Sequence, residues 1–108
     1  MAGGLRRGEV RLYRFPRPDK ERPVVVLTQD SAIDYLSSVT VAPVTSAIRG
    51  VPSQVVLGEE DGMKGPCAVN LHNVITVPKA HVGPRVAFLK ERRLREICVA
   101  MNFAFGCS

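Results

Sequence analysis

Two short β-branched runs constrain this chain more than any other feature. They are Arg22-Pro23-Val24-Val25-Val26-Leu27 and Val39-Thr40-Val41-Ala42-Pro43-Val44-Thr45-Ser46. Such residues pack well on a pleated surface, so each run predicts a strand buried in a sheet. Each run also carries polar groups at one end: the Arg22 guanidinium, and the hydroxyls of Thr45 and Ser46. A guanidinium keeps its charge and pairs two phosphate oxygens at once. A hydroxyl at the end of a neighbouring strand can touch the same phosphate. The pair points toward nucleic-acid chemistry on a small β-barrel.

The remaining pattern fits such a sheet. Glu9, Arg11 and Tyr13 alternate with Val10 and Leu12, so Gly8 to Tyr13 predicts a half-buried strand. Phe15 to Lys20 is a loop, because Pro16 and Pro18 block a regular ladder. Further strands are predicted at Val24 to Thr28, Ser37 to Val44, Ser53 to Leu57, Cys67 to His72, Val74 to Val77 and Arg85 to Leu89. A loop or single helical turn covers Asp30 to Tyr35, and a loop covers Ala47 to Pro52. From about Glu91 the period changes. Leu94, Ile97, Cys98, Met101 and Phe105 recur at helical spacing, which places Cys98 in the core. Lys90 is a poor N-cap and Gly106 a plausible stop. The expectation is one domain over residues 1–108, mainly β, with a strongly bent sheet or small barrel and a C-terminal helix packed on it.

Charge narrows the partner. The 108 residues hold 15 Lys and Arg against 10 Asp and Glu, a net +5. That balance favours RNA, DNA or an acidic protein. Arg6, Arg7, Arg11, Arg14, Arg17, Lys20 and Arg22 crowd the first part of the chain, and Lys90, Arg92, Arg93 and Arg95 the last. Glu59-Glu60-Asp61, between Gly58 and Gly62, reads as a solvated turn. Cys67, Cys98 and Cys107 form no CxxC pair, which favours reduced thiols. Cys67, His72 and His81 show no metal-ligand spacing, so neither metal nor cofactor is expected. No apolar stretch reaches membrane length and none follows Arg6-Arg7, so the expected location is cytoplasmic, away from membranes.

Several blocks resemble the MazF/PemK toxins, in order and with close spacing from residue 6 to 106. These are Arg7-Gly8-Glu9-Val10, the Arg22-Pro23-Val24 strand, Pro43-Val44-Thr45-Ser46 followed by Arg49-Gly50-Val51-Pro52, and Asn70-Leu71-His72-Asn73-Val74-Ile75-Thr76-Val77. The resemblance implies the SH3-like small barrel of the MazF/PemK/CcdB toxin type, working as a homodimer. It implies a metal-free endoribonuclease that cuts single-stranded RNA, inhibited by a cognate antitoxin with an acidic tail. Arg22 matches the family's catalytic arginine and Thr45 its active-site threonine. His72 stands where many relatives carry Asp, assigned in some as general base, and Asn70 replaces the arginine assigned there as acid. An imidazole titrates near neutrality and can still move protons. Ser46, Asn70 and Asn73 are RNA-binding candidates, the asparagines through amides that suit base edges. Arg17 and Lys20 on one loop and Arg49 on another complete the expected RNA contacts. Two other classes stay open: a toxin of the same fold that poisons a topoisomerase without catalysis, and a plain basic RNA-binding module.

Overall fold

Alternation of apolar and polar residues lays the chain into one curled antiparallel sheet. The computed structural model describes residues 4–16 and 20–106. Among them the strands are β1 (Glu9–Arg14), β2 (Glu21–Val26), β3 (Ser38–Thr45), β4 (Gln54–Leu57), β5 (Cys67–Asn70), β6 (Ile75–Pro78) and β7 (Arg85–Phe88). The helices are α1 (Asp30–Ile33) and α2 (Glu91–Phe105). The sheet order is β4-β5-β3-β2-β1-β7, with β6 also paired to β3. The sheet curls into a half-barrel with α2 against it.

The eight residues of β3 explain the curl. Its first half, Ser38 to Val41, pairs with β6, and its last two residues, Val44 and Thr45, pair with β5. Pro43 lies at the exchange, where its missing N–H costs no ladder bond on that edge. Strand alternation then builds two cores, one on each face. Val25, Ala42, Val44, Val55, Val69 and Leu71 face one cluster, which Ile97 and Ala100 of α2 cover. Val24, Val26, Val39 and Val41 face the other, with Ile33 of α1 and Val77 of β6.

Boundaries moved where side chains took over from the backbone. β2 starts at Glu21 and stops at Val26 rather than Thr28, because Thr28 Oγ1 accepts the Thr40 N–H at 2.8 Å in place of a strand carbonyl. Arg22 therefore lies inside β2. β5 stops at Asn70, whose carbonyl accepts Asn73 N–H at 3.4 Å, so His72 sits in a turn and not on a strand.

Two expectations about burial are corrected. Cys98 is exposed, and so is Phe105; α2 buries Ile97 and Ala100, with Leu94 and Met101 packed beside them. At 100° per residue, Cys98 rotates off the line through Leu94, Ile97 and Met101. Gly8, at φ +93°, lets α2 approach: a Cβ there would sit 2.9 Å from Leu94 Cδ2. The acidic turn is not simply solvated either. Asp61 receives Arg93 Nε at 2.9 Å and the Gly58 N–H at 2.9 Å, and its side chain is only 6% exposed. Glu9 is a second buried carboxylate, held by the Arg6 N–H at 2.9 Å, Arg11 at 3.0 Å and Arg85 at 3.3 Å.

Candidate active site

Register brings the two polar strand ends together. Val24 pairs with Pro43 on antiparallel strands, so the same register carried two positions further puts Arg22 opposite Thr45. Tyr13 of β1 pairs with Arg22, and Ala68 of β5 pairs with Thr45. The paired residues are Tyr13 with Arg22 on one side and Thr45 with Ala68 on the other, and the β2-β3 register, continued past its last pair Val24 and Pro43, aligns the two pairs in one row. Arg22 is two residues from Val24, and Thr45 is four from Val41. Both therefore share the face that carries the second core further along the sheet. Tyr13 and Phe15 stand edge to face at 5.0 Å beside this row and pack on that core, which ties them to structure as well as to the site's flank.

Thr45 is held for donation. Its Oγ1 accepts the Ala47 N–H at 3.1 Å, which fixes the side chain and leaves the hydroxyl proton to give. Arg22 is exposed and carries the charge. A guanidinium and a hydroxyl donor at facing strand ends suit an anion whose charge grows during reaction. Ser46, also exposed, lines a groove of about 570 Å³ at this end of the half-barrel together with Pro23, Thr45, Met63 and Lys64. Cys67 lines it too. Its thiol is pushed up by burial and, secondarily, by the charge of Asp61, so it stays a protonated apolar wall.

The remaining candidates form a second group. Asn70 ends β5, and His72 and Asn73 follow in the turn, both exposed. Arg49 lies on the loop after β3 and Lys20 just before β2, both exposed. Arg17 lies outside the described residues.

Ser53 and Gln54, expected only as plain strand, hold three of these residues, Arg49, Asn70 and His72. Gln54 is buried; its Oε1 accepts Arg49 N–H at 2.8 Å, and its Nε2 donates to Ala47 O at 3.2 Å and to Asn70 Oδ1 at 2.6 Å. One amide thereby staples the loop after Thr45 to the end of β5. Ser53, also buried, places Oγ 2.6 Å from His72 Nδ1. The signal was a polar pair opening an otherwise apolar strand, Ser53-Gln54-Val55-Val56-Leu57.

Fold and row together define a class: a curled β half-barrel with a C-terminal helix and a cation-hydroxyl pair at the end of its central strands. The profile of the PemK-like, MazF-like toxins of type II toxin-antitoxin systems matches residues 6–105, and the chain belongs to that family. It is 35% identical over 104 residues to Probable endoribonuclease MazF2 of Mycobacterium tuberculosis, covering 95% of this chain and 100% of that one. It is 44% identical over 88 residues to Probable endoribonuclease MazF5 of the same species, covering 81% of each. Among solved structures, the Mycobacterium tuberculosis toxin MazF-mt6 superposes with a TM-score of 0.84 at 28% identity, over 93% of this chain and 98% of that one. An endoribonuclease in complex with its cognate antitoxin, from a mycobacterial species, shares the fold with a TM-score of 0.86 at 21% identity, over 97% and 98% of the two chains.

Proposed function

We propose that this toxin-family endoribonuclease cuts single-stranded RNA in the cytoplasm without a metal ion, using the RNA's own 2′-OH as nucleophile. The observation that supports this reading is the β2-β3 register, which, continued two positions past its last pair Val24 and Pro43, brings Arg22 opposite Thr45. The 2′-OH gives up its proton to solvent water as its oxygen attacks the adjacent phosphorus, the bond to the 5′ oxygen breaks, and that oxygen takes a proton from water, leaving a cyclic phosphate and a 5′-OH. Negative charge builds on the non-bridging oxygens during attack. Arg22 neutralises it with a two-pronged contact, and Thr45 donates its hydroxyl proton to the same group. Ser46, Asn70, Asn73, Arg49 and Lys20 lie on the loops and strand ends around this row and guide the strand. A non-enzymatic poison of a topoisomerase needs no such pair, and a plain RNA binder would hold RNA uncut.

Purified protein incubated with a long RNA in EDTA tests the chemistry. The expected result is fragments with 5′-OH ends at a short recurring sequence. Cleavage that stops in EDTA and returns with magnesium would refute the mechanism.

The partners follow from surface chemistry. The outer face of α2 exposes Val99 at 71% and Phe103 at 62%, beside exposed Val56 of β4. Arg92, Arg95 and Glu96 border this apolar patch, so both signs of charge lie on one surface. Such a surface pairs with its own copy across a two-fold axis, and a homodimer is the reading it supports. The net +5 charge suits a cognate antitoxin whose acidic segment competes with RNA for the Arg22 row. Light scattering at micromolar concentration should give twice the chain mass of 11.8 kDa. Val99→Asp should return it to a monomer; a wild-type monomer would remove the dimer.

A further inference from the structure

Ser53, in the turn just before β4, and Gln54, the first residue of β4, each face one candidate site residue and fix which atoms it shows. Ser53 Oγ lies 2.6 Å from His72 Nδ1, and Gln54 Nε2 lies 2.6 Å from Asn70 Oδ1. Both anchors are buried, whereas His72 is exposed and Asn70 half-buried.

The Gln54 side is decided by the backbone. Arg49 N–H can only donate and Ala47 C=O can only accept, so Gln54 must present Oε1 to the first and Nε2 to the second. Nε2 is then the atom that meets Asn70, and Asn70 must offer its oxygen. The Asn70 amide nitrogen is left facing outward with its protons. The Ser53 side follows the same logic. Among the described residues the side-chain partner of this buried hydroxyl is His72. Were Nδ1 to carry the proton and donate, the Ser53 proton would be buried without an acceptor, which is costly. The hydroxyl therefore donates to Nδ1, and the neutral ring keeps its proton on Nε2.

We propose that Ser53 is a positioning residue that fixes His72 as the Nε2–H tautomer, so that His72, beside Asn70, meets RNA as a hydrogen-bond donor to a phosphate oxygen. This deepens the RNA-cleavage reading and rests on it. It gives His72 a donor's role in place of the base implied by the family's aspartate. With Nδ1 engaged and Nε2 protonated, the neutral ring has no free lone pair for the 2′-OH proton. Two donors, Asn70 at the end of β5 and His72 on the turn that follows, make an edge that attracts an anionic backbone.

Long-range proton–nitrogen NMR on the full chain, free of RNA and at alkaline pH, reads the tautomer directly. The expected spectrum shows His72 protonated on Nε2. Ser53→Ala should give a mixture of tautomers, and Ser53→Thr, which restores the hydroxyl, should return the wild-type pattern. A wild-type ring protonated on Nδ1 would overturn the proposal. Kinetics supply the second arm. His72→Gln keeps a donor but cannot take a proton, so its kcat should stay within about five-fold of wild type, whereas loss of a general base costs about 10²–10⁴-fold. Ser53→Ala should raise KM for a short single-stranded RNA several-fold with little change in kcat. A 10²-fold fall in kcat for folded His72→Gln would restore the base role and sink the donor role. Wild-type protein that cuts no RNA would refute the cleavage reading on which the donor role rests, while the tautomer is read without RNA.

Discussion

Arg22→Ala should lower the single-turnover rate of RNA cleavage by 10²-fold or more and leave the fold intact. The rate argument is electrostatic. Removing one preorganised donor to a developing oxyanion typically costs about 3–4 kcal/mol, and a guanidinium supplies two donors and a full charge. The folding argument is local. Arg22 is an exposed residue near the start of β2, four residues before the buried Val26, and exposed substitutions usually change stability by about 0.5 kcal/mol or less. Arg22→Lys should recover part of the rate, since an ammonium keeps the charge but loses the fork. Thr45→Ala should cost less than Arg22→Ala, because a neutral hydroxyl contributes a weaker bond, while Thr45→Ser should be nearly wild type. Circular dichroism and thermal melting beside the kinetics separate catalysis from folding. A folded Arg22→Ala protein that cuts RNA at near the wild-type rate would remove the central assignment.

Arg93→Ala should cost a large part of the stability of the fold. Arg93 reaches Asp61 at 2.9 Å, Glu60 at 3.1 Å and Glu96 at 3.0 Å, so one side chain on α2 ties down the acidic turn after β4. The pair is nearly dry: the side chains of Arg93 and Asp61 are 14% and 6% exposed. Removing one partner of such a pair strands the other and costs about 3–5 kcal/mol, which for a domain of this size lowers Tm by roughly 10 °C or more. The pH dependence has a definite sign. Burial by itself would raise the Asp61 carboxyl, but the hydrogen bonds from Arg93 and Gly58, with the charges of Arg93 and Arg92, outweigh it and hold the group below the usual carboxylate range. The Arg93 guanidinium is raised in turn, first by its hydrogen bond to Asp61. A carboxylate depressed in the folded state adds stability that is fully present above its unfolded value. That stability is lost as the pH falls through the folded value. Wild type should therefore lose stability on acidification below the ordinary carboxylate range, and Arg93→Ala should lose less of it. Denaturant melts of both proteins at neutral and acid pH check this. Equal acid sensitivity in the two would show that other carboxylates carry it.

The candidate residues were readable one strand at a time. Arg22 and Thr45 stand in short motifs at the ends of β-branched runs, and local chemistry alone marks both as groups suited to a phosphate. The period change near Glu91 marked α2, because a 3.6-residue repeat of apolar side chains differs from the two-residue repeat before it. What failed were readings that needed a distant partner. Glu59-Glu60-Asp61 looks like any solvated acidic turn until Arg93, more than thirty residues later, folds over it. Cys98 fits an apolar stripe on paper, but α2 turns Ile97 and Ala100 to the sheet and leaves Cys98 exposed.

Strands, terminal helix, basic charge and the residue types proposed to meet a phosphate are legible in the chain itself, because periodicity, propensity and charge are local properties. The fold had to supply the β2-β3 register that aligns Arg22 with Thr45, the contacts of Gln54 with Asn70 and of Ser53 with His72, and the burial of the Asp61 side chain against Arg93. Each of these depends on strand register or helix docking. A one-residue slip in register would turn every side chain of a strand to the other face, and the choice among registers is made by the two apolar cores together, not by any single strand.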